Sequence, residues 1–382
     1  MTAAACLAVL LLTADPAPAG AGLEVYGRPT WIEGGQRLAV TARVGTAVPA
    51  WYTTAVGGQL ELVKPRPMYE SVDNLWWRPN GDRFAYVGQV SNVRTLLVGR
   101  RDAVDGVPFA VVGNIRPTVG GWSADGSHLA FGLIGDRTVP KPFSLFSCEE
   151  DGAHGVHVPM NSPPLGMTWE PGAQRIAFIN HDAGRSVLYV CMLSQGMAVT
   201  VNSYLRPLPH SLAMPAGGAL IAFAATGLHD DDDPHWFVAL VGVRQPAQKL
   251  DSQGYAPDQP PVWSPDSQWL AWTAGPRSDP EQGNLFLAAT TELAKVTRVV
   301  AGRAGAGQPA FSPDGHDLVF TAYDSWQPRT ARLAWLKLGR PEPPRLLTVP
   351  DNPEWPTFAP DGRRLACVAA GQLKVIDWPP PE

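Results

Sequence analysis

The chain has 382 residues and a formal net charge of −5, with 30 Lys and Arg against 35 Asp and Glu. The basic residues are scattered rather than clustered, which removes the electrostatic footprint of a DNA- or RNA-binding protein. Glycine (38) and proline (39) are abundant, but they sit between short apolar runs at regular spacing and read as turn residues of an all-β protein.

At the N-terminus, MTAAACLAVLLLTADPAPAGAG joins an apolar run to small residues that include Ala17-Pro18-Ala19. This is the pattern of a secretory leader, too short to span a bilayer as a helix. The expected basic start is missing, since the first Lys or Arg is Arg28. The expectation is a signal peptide over residues 1–21, a periplasmic or secreted protein, and no transmembrane span once the leader is removed. Cys6 precedes the apolar run, whereas a lipid-modified cysteine would follow it. The other cysteines, Cys148, Cys191 and Cys367, are odd in number and make a poor disulfide framework. They read as small buried hydrophobes.

From residue 22 onward one pattern recurs: an aromatic, a polar turn with Pro, Asp or Gly, then Leu-Ala-Phe or a variant. The clearest copies are WRPNGDRFAY (77–86), WSADGSHLAF (122–131), WSPDSQWLAW (263–272), FSPDGHDLVF (311–320) and FAPDGRRLAC (358–367). Weaker copies start at Trp31 and Trp169, and MPAGGALIAF near Ala213 lacks the aromatic. The anchors fall at 31, 77, 122, 169, 213, 263, 311 and 358. A period of this length is the mark of a repeat architecture, here one domain over 22–382.

Each unit supplies four short strand candidates, as in the copy ending strand a at Trp263, with strand b over 269–273, c over 284–289 and d over 296–301. Four antiparallel strands per unit make a propeller blade. At the a-to-b turn, Pro presets φ, Asp accepts a backbone N–H and Gly supplies a positive φ. The apolar b strand lacks alternation, as expected where both faces are covered. The fold expected is an all-β, eight-bladed β-propeller of four-stranded blades. After Phe358 the chain provides only strands b and c, so the strand GLEVYG (22–27) is expected to close the last blade. Seven blades would require treating residues 211–260 as a loop, which is too long for a compact domain.

The Trp/Phe-Ser-Pro-Asp-Gly-x-x-Leu-Ala-Phe pattern resembles the TolB-type propeller repeat, a relative of the WD repeat, over residues 22–378. The Trp-Asp dipeptide and Gly-His pair of true WD repeats are absent. The resemblance implies the propeller fold; its bearers include periplasmic envelope proteins, prolyl-oligopeptidase-type peptidases and some oligogalacturonate lyases. TolB carries an additional N-terminal domain for which this chain has no room.

A peptidase would need a Gly-x-Ser-x-Gly elbow, and the nearest string, residues 121–125, fails at its last position and is a blade turn. The cluster His229-Asp230-Asp231-Asp232-Asp233-Pro234-His235 offers metal-ligand types, yet four consecutive Asp lack the alternation of a calcium loop and read as a solvated acidic loop. His181-Asp182 is the one adjacent pair suggesting a tuned base. Long polar b-to-c loops are expected in blade three, which holds Arg137, and in blades five, six and seven. In blade seven Asp324, Trp326 and Arg329 form the strongest contact candidate, because aromatic and Arg side chains concentrate at binding hot spots. Trp326 equally suits covering its neighbouring blade.

The function expected is an exported, non-enzymatic, monomeric module that binds a protein or a cell-envelope component, with no cofactor. The alternative is a carbohydrate-active enzyme, such as a metal-assisted lyase using His181, His229 and His235.

Overall fold

The computed structural model describes residues 23–65, 75–79, 81–90, 93–102, 107–108, 120–134, 143–149, 154–182, 184–202, 205–209, 211–227, 233–243, 245–276, 283–340 and 342–379. Among them lie eight antiparallel sheets in sequence order and no α-helix. No helix among the described residues is long and apolar enough to cross a membrane. The eight sheets are the blades of a β-propeller. Each is a meander whose strands, a to d, run from the inside of the ring outward. In the unit read most fully from sequence, strands Val262–Trp263, Trp269–Gly275, Asn284–Ala289 and Thr297–Val299 match the expectation closely.

The b strands show why the repeat reads Leu-Ala-Phe. Leu129, Ala130 and Phe131, like Leu270, Ala271 and Trp272, are each 0% exposed. Each blade packs both faces against its neighbours, so alternate residues of one b strand enter two different apolar clusters. Ala222 and Ala224 face blade six, where they meet Trp263 and Trp272. Ile221, Phe223 and Ala225 face blade four, where they meet Ile179 and Val190.

Four tryptophan anchors each add one hydrogen bond to the preceding blade. The indole N–H groups of Trp31, Trp122, Trp169 and Trp263 donate to the carbonyls of Thr357, Trp76, Gly121 and Ala213, at 3.0–3.2 Å. Every acceptor lies just before the anchor of the preceding blade. This places the fifth anchor at Met214, one residue beyond the alignment on Ala213. Met214 is buried, and Ala213 bridges Ala222 as Val262 pairs with Ala271. Trp77 departs from the pattern, its indole nitrogen being buried without a partner.

The a-to-b turn has a fixed wiring. Ser312 donates its hydroxyl to Asp314 at 2.5 Å and accepts from the Asp317 N–H at 2.9 Å. Asp314 also accepts from the His316 N–H at 3.1 Å, and Gly315 supplies φ +75°. Ser264 with Asp266 and Ser123 with Asp125 repeat this. The Ser-Pro-Asp-Gly string is therefore a self-satisfying hairpin cap.

Ring closure differs from the sequence expectation. Residues 22–27 were expected as the fourth strand of blade eight, but strand Leu23–Ile32 pairs along its length with Arg37–Val44 and is strand a of blade one. Blade eight has three strands among the described residues: Glu354–Phe358, Arg364–Ala369 and Gln372–Asp377. Pairing prevails because Leu23, Val25 and the Trp31 anchor belong to one continuous strand, interrupted only by a bulge after Tyr26. The ring closes face to face instead, with Trp31 and Leu38 on Ala359 and Ala366, and Val25, Val40 and Tyr52 on Val368.

Cys148, Cys191 and Cys367 are buried and form no disulfide among the described residues. Burial pushes the Cys367 thiol up to about 12. The expected leader, residues 1–21, lies outside the described residues.

Candidate functional site

In an antiparallel blade the b-to-c turns and the d-to-a connections share one face of the ring. On that face the a strands of blades one, six, seven and eight carry the same irregularity. Register slips between Tyr26 and Thr30, between Gly307 and Ala310, and between Glu354 and Thr357, and strand a of blade six is split around 258–261. Each slip holds a proline two residues before the anchor: Pro29, Pro261, Pro309 or Pro356. Proline cannot donate to a ladder, so it settles at bulges, and a bulge re-aims the residue beside it. Those residues are Arg28, Pro260, Gln308 and Trp355. Gln308 and Trp355 have φ of 54° and 58°. This left-handed backbone costs a non-glycine residue about 1–2 kcal/mol.

Between blades six, seven and eight, Gln308 and Trp355 border a recess of about 130 Å³, lined also by Asp258, Gln259, Thr273, Tyr323 and Arg329 among others. Gln308 is its keystone. Its buried Oε1 accepts from the Thr321 hydroxyl at 2.7 Å and from the Trp355 N–H at 2.8 Å. Those bonds tie blade seven to blade eight and hold both strained backbones. Across the recess the Thr273 hydroxyl donates to Asp258 at 3.4 Å.

Blade seven supplies the outer wall. Its segment 323–330 was expected as a long loop but is a continued hairpin: Tyr323 pairs with Ala331, Ser325 with Thr330 and Trp326 with Arg329, leaving only Gln327-Pro328 in the turn, with a cis peptide. The indole N–H of Trp326 donates to Ala304 O at 3.0 Å, and its ring lies 4.1 Å from that of Tyr323. Arg329 stands over both rings, at 5.2 and 5.5 Å, and donates to the Tyr323 hydroxyl at 3.2 Å and to Glu354 at 2.6 Å. Asp324 accepts two bonds from Arg332, at 2.7 and 2.8 Å, which hold its carboxyl below the usual range.

Burial, and then the Glu354 carboxylate, push the Tyr323 phenol far up. It stays a neutral donor and acceptor. For Arg329 burial works against the charge, but Tyr323 and Glu354 more than offset it. The wall is thus a pre-ordered aromatic and guanidinium surface with Gln327 and Pro328 exposed at its rim.

Of the sequence candidates, Asp324, Trp326 and Arg329 are brought onto one hairpin. His181 and Asp182 end strand b of blade four; the His181 N–H donates to Ser162 and Asn180, and Asp182 accepts from Tyr189 at 3.3 Å. His235 begins strand c of blade five, and burial, then Lys249, lower its pKa. Among the described residues, these share no hydrogen-bond partner with the blade-seven hairpin. Arg137, His229 and Asp232 lie outside the described residues. Among the described residues no three His, Cys, Asp or Glu gather as a metal site would require.

Sequence reasoning missed Gln308, Glu354, Trp355 and Asp258. A signal was present in the x-Pro-Thr/Ala-aromatic string ahead of the anchor, seen in Arg28-Pro29-Thr30-Trp31, Gln308-Pro309-Ala310-Phe311 and Trp355-Pro356-Thr357-Phe358.

No protein-family model and no curated protein matches this sequence. Solved structures do resemble it. The tricorn protease aligns with a TM-score of 0.52 at 11% identity over 94% of this chain and 36% of that one. The hydrazine synthase of Kuenenia stuttgartiensis aligns with 0.50 at 14% identity, over 80% and 95%. TolB from Acinetobacter baumannii aligns with 0.41 at 15% identity, over 77% and 76%. At such identities the likeness is one of fold alone.

Proposed function

We propose that this protein is a non-enzymatic interaction module that binds a protein or a cell-envelope component through the face between blades six and eight. The observation that carries this is the recess around Gln308, bordered by three blades, where blades seven and eight spend backbone strain at Gln308 and Trp355 to fix polar and aromatic groups. Strain held at one place by buried hydrogen bonds marks a position where geometry matters beyond folding. Trp326 and Arg329 supply residue types that carry binding energy, already ordered by contacts with each other and with the buried Tyr323. Export, which the apolar first 21 residues support, sets that partner in the envelope or the medium.

The test pairs two exposed positions on opposite faces. Gln327→Arg alters the rim of the hairpin, and Gln268→Arg alters an a-to-b turn on the other face. Partners retained from an extract of the native host are compared by mass spectrometry. Loss of a specific partner with Gln327→Arg, and its retention with Gln268→Arg, supports the reading. The reverse pattern refutes it.

A further inference from the structure

Arg28 is the one charged residue among the eight that stand three places before an anchor. Strand a is the innermost strand of each blade, so a residue re-aimed by its bulge is delivered to the wall of the central channel. The Arg28 guanidinium donates to Pro309 O at 3.2 Å. Arg28 belongs to blade one and Pro309 to blade seven, with blade eight standing between them. A side chain from blade one reaches that carbonyl by crossing in front of strand Glu354–Phe358 on the channel side. The charge therefore lies inside the ring.

A guanidinium carries several N–H donors and stays charged in proteins. The Pro309 carbonyl is the one acceptor Arg28 finds among the described residues, and no described carboxylate pairs with it. By contrast, on the blade-seven hairpin Arg329 pairs with Glu354 at 2.6 Å and Arg332 with Asp324 at 2.7 Å. Arg28 is exposed, yet desolvation by the surrounding protein lowers its pKa. Water reaches the group while protein encircles it, as at a channel wall. A charge held there without a counter-ion carries a cost that an arriving anion removes.

Trp355 holds the same place in blade eight. The bond from Trp31 to Thr357 O sets the two a strands against each other, so the residues three before each anchor are neighbours. The Trp355 backbone N–H is committed to Gln308, whereas its indole N–H has no acceptor among the described residues. Two unused donors, one of them cationic, thus meet at the channel lip.

The flanking charges select among anions. Glu354 bonds Arg329, which lines the adjoining recess with Asp258. These carboxylates disfavour a doubly charged phosphate more than a single carboxylate. The planar fork of arginine also fits a carboxylate through two parallel N–H donors.

Resting on the reading of this face as the binding surface, we propose that Arg28 and the Trp355 indole receive a carboxylate that the partner inserts into the mouth of the central channel. The partner is then a protein with an acidic side chain or a C-terminal carboxylate on a projecting segment.

The first test uses the intact protein and small probes, and does not depend on a captured partner. N-acetylglycine supplies a carboxylate, and N-acetylglycinamide is its uncharged counterpart. The Arg28 Nε–H and Trp355 Nε1–H resonances, assigned through Arg28→Gln and Trp355→Phe, should shift saturably with N-acetylglycine, with half-saturation on the order of 1 mM. N-acetylglycinamide should leave both unmoved, and inorganic phosphate should bind at least about tenfold more weakly. Equal shifts with the two glycine probes, or none with either, would overturn the proposal. So would an unaltered shift at Trp355 in Arg28→Gln. Arg28→Lys, which keeps the charge without the fork, should bind N-acetylglycine more weakly than the parent and serves if Arg28→Gln does not fold.

A second test identifies the source of the carboxylate. Arg28→Gln should lower retention of the captured partner at least about tenfold. A partner lost with Gln327→Arg but held undiminished by Arg28→Gln would leave the binding face standing and overturn this inference, assigning the channel carboxylate to a free small acid.

Discussion

The indole N–H of Trp263 in blade six donates to the backbone carbonyl of Ala213 in blade five, at 3.2 Å. The same bond recurs at Trp31, Trp122 and Trp169 and is missing at Trp77, so the repeat signature encodes contact between blades as well as the turn within one.

Trp263→Phe should keep most of the packing and lose this bond, at a cost of about 1–2 kcal/mol. Trp77→Phe should cost less, because the Trp77 nitrogen is already buried without a partner. Urea unfolding of the two variants measures the difference. Equal losses would show that packing, not the hydrogen bond, distinguishes the anchors.

Ser312→Ala removes the hydroxyl that bridges Asp314 and the Asp317 N–H. With Ser312 buried, the expected loss is about 1–2 kcal/mol. A loss below a few tenths would mean that the Pro-Asp-Gly backbone closes the turn unaided.

The turn aspartates predict acid lability. Hydrogen bonds from the Ser312 hydroxyl and the His316 N–H hold Asp314 below its ordinary 3.8, and the Arg363 N–H acts first on Asp361. A depressed carboxyl contributes stability that is fully present above the unfolded value and is lost as pH falls through the folded one. Asp317, raised chiefly by burial, works in the opposite sense. The urea midpoint should therefore fall below about pH 4, and less steeply in Asp314→Asn than in the parent chain. Parallel pH profiles for the two proteins would contradict this assignment.

The architecture was legible because a short-range chemical requirement recurs at each turn: Ser, Asp and Gly satisfy hydrogen bonds and dihedrals within a few residues, and the b strand that follows is buried on both faces. Met214 was misplaced by one residue because an unbranched apolar side chain fills the anchor pocket without an aromatic label. Strand Leu23–Ile32 was misassigned because the bulge at Gly27 divides it, and its first half alone looks like a separate strand. The recess escaped notice since Gln308 and Glu354 come together through a bulge and a neighbouring blade, 46 residues apart in the chain. Trp326 and Arg329 were found by residue type, but their mutual packing with Tyr323 depends on a hairpin that the sequence presented as a loop.

Gln308→Ala should cost about 2–3 kcal/mol, since it strands the buried Thr321 hydroxyl and the Trp355 N–H. It should also loosen the blade-eight rim, seen as faster amide exchange at Trp355. Stability lost without any change at Trp355 would show that the glutamine serves blade seven alone.

The central claim is that the face between blades six and eight is the binding surface. The most direct measurement is crosslinking of the intact protein to its captured partner, with the linked positions read by mass spectrometry. The account predicts links that cluster on 323–329 and 351–355. Links confined to the a-to-b turns, around 265–268 and 313–316, would place the partner on the opposite face and contradict it.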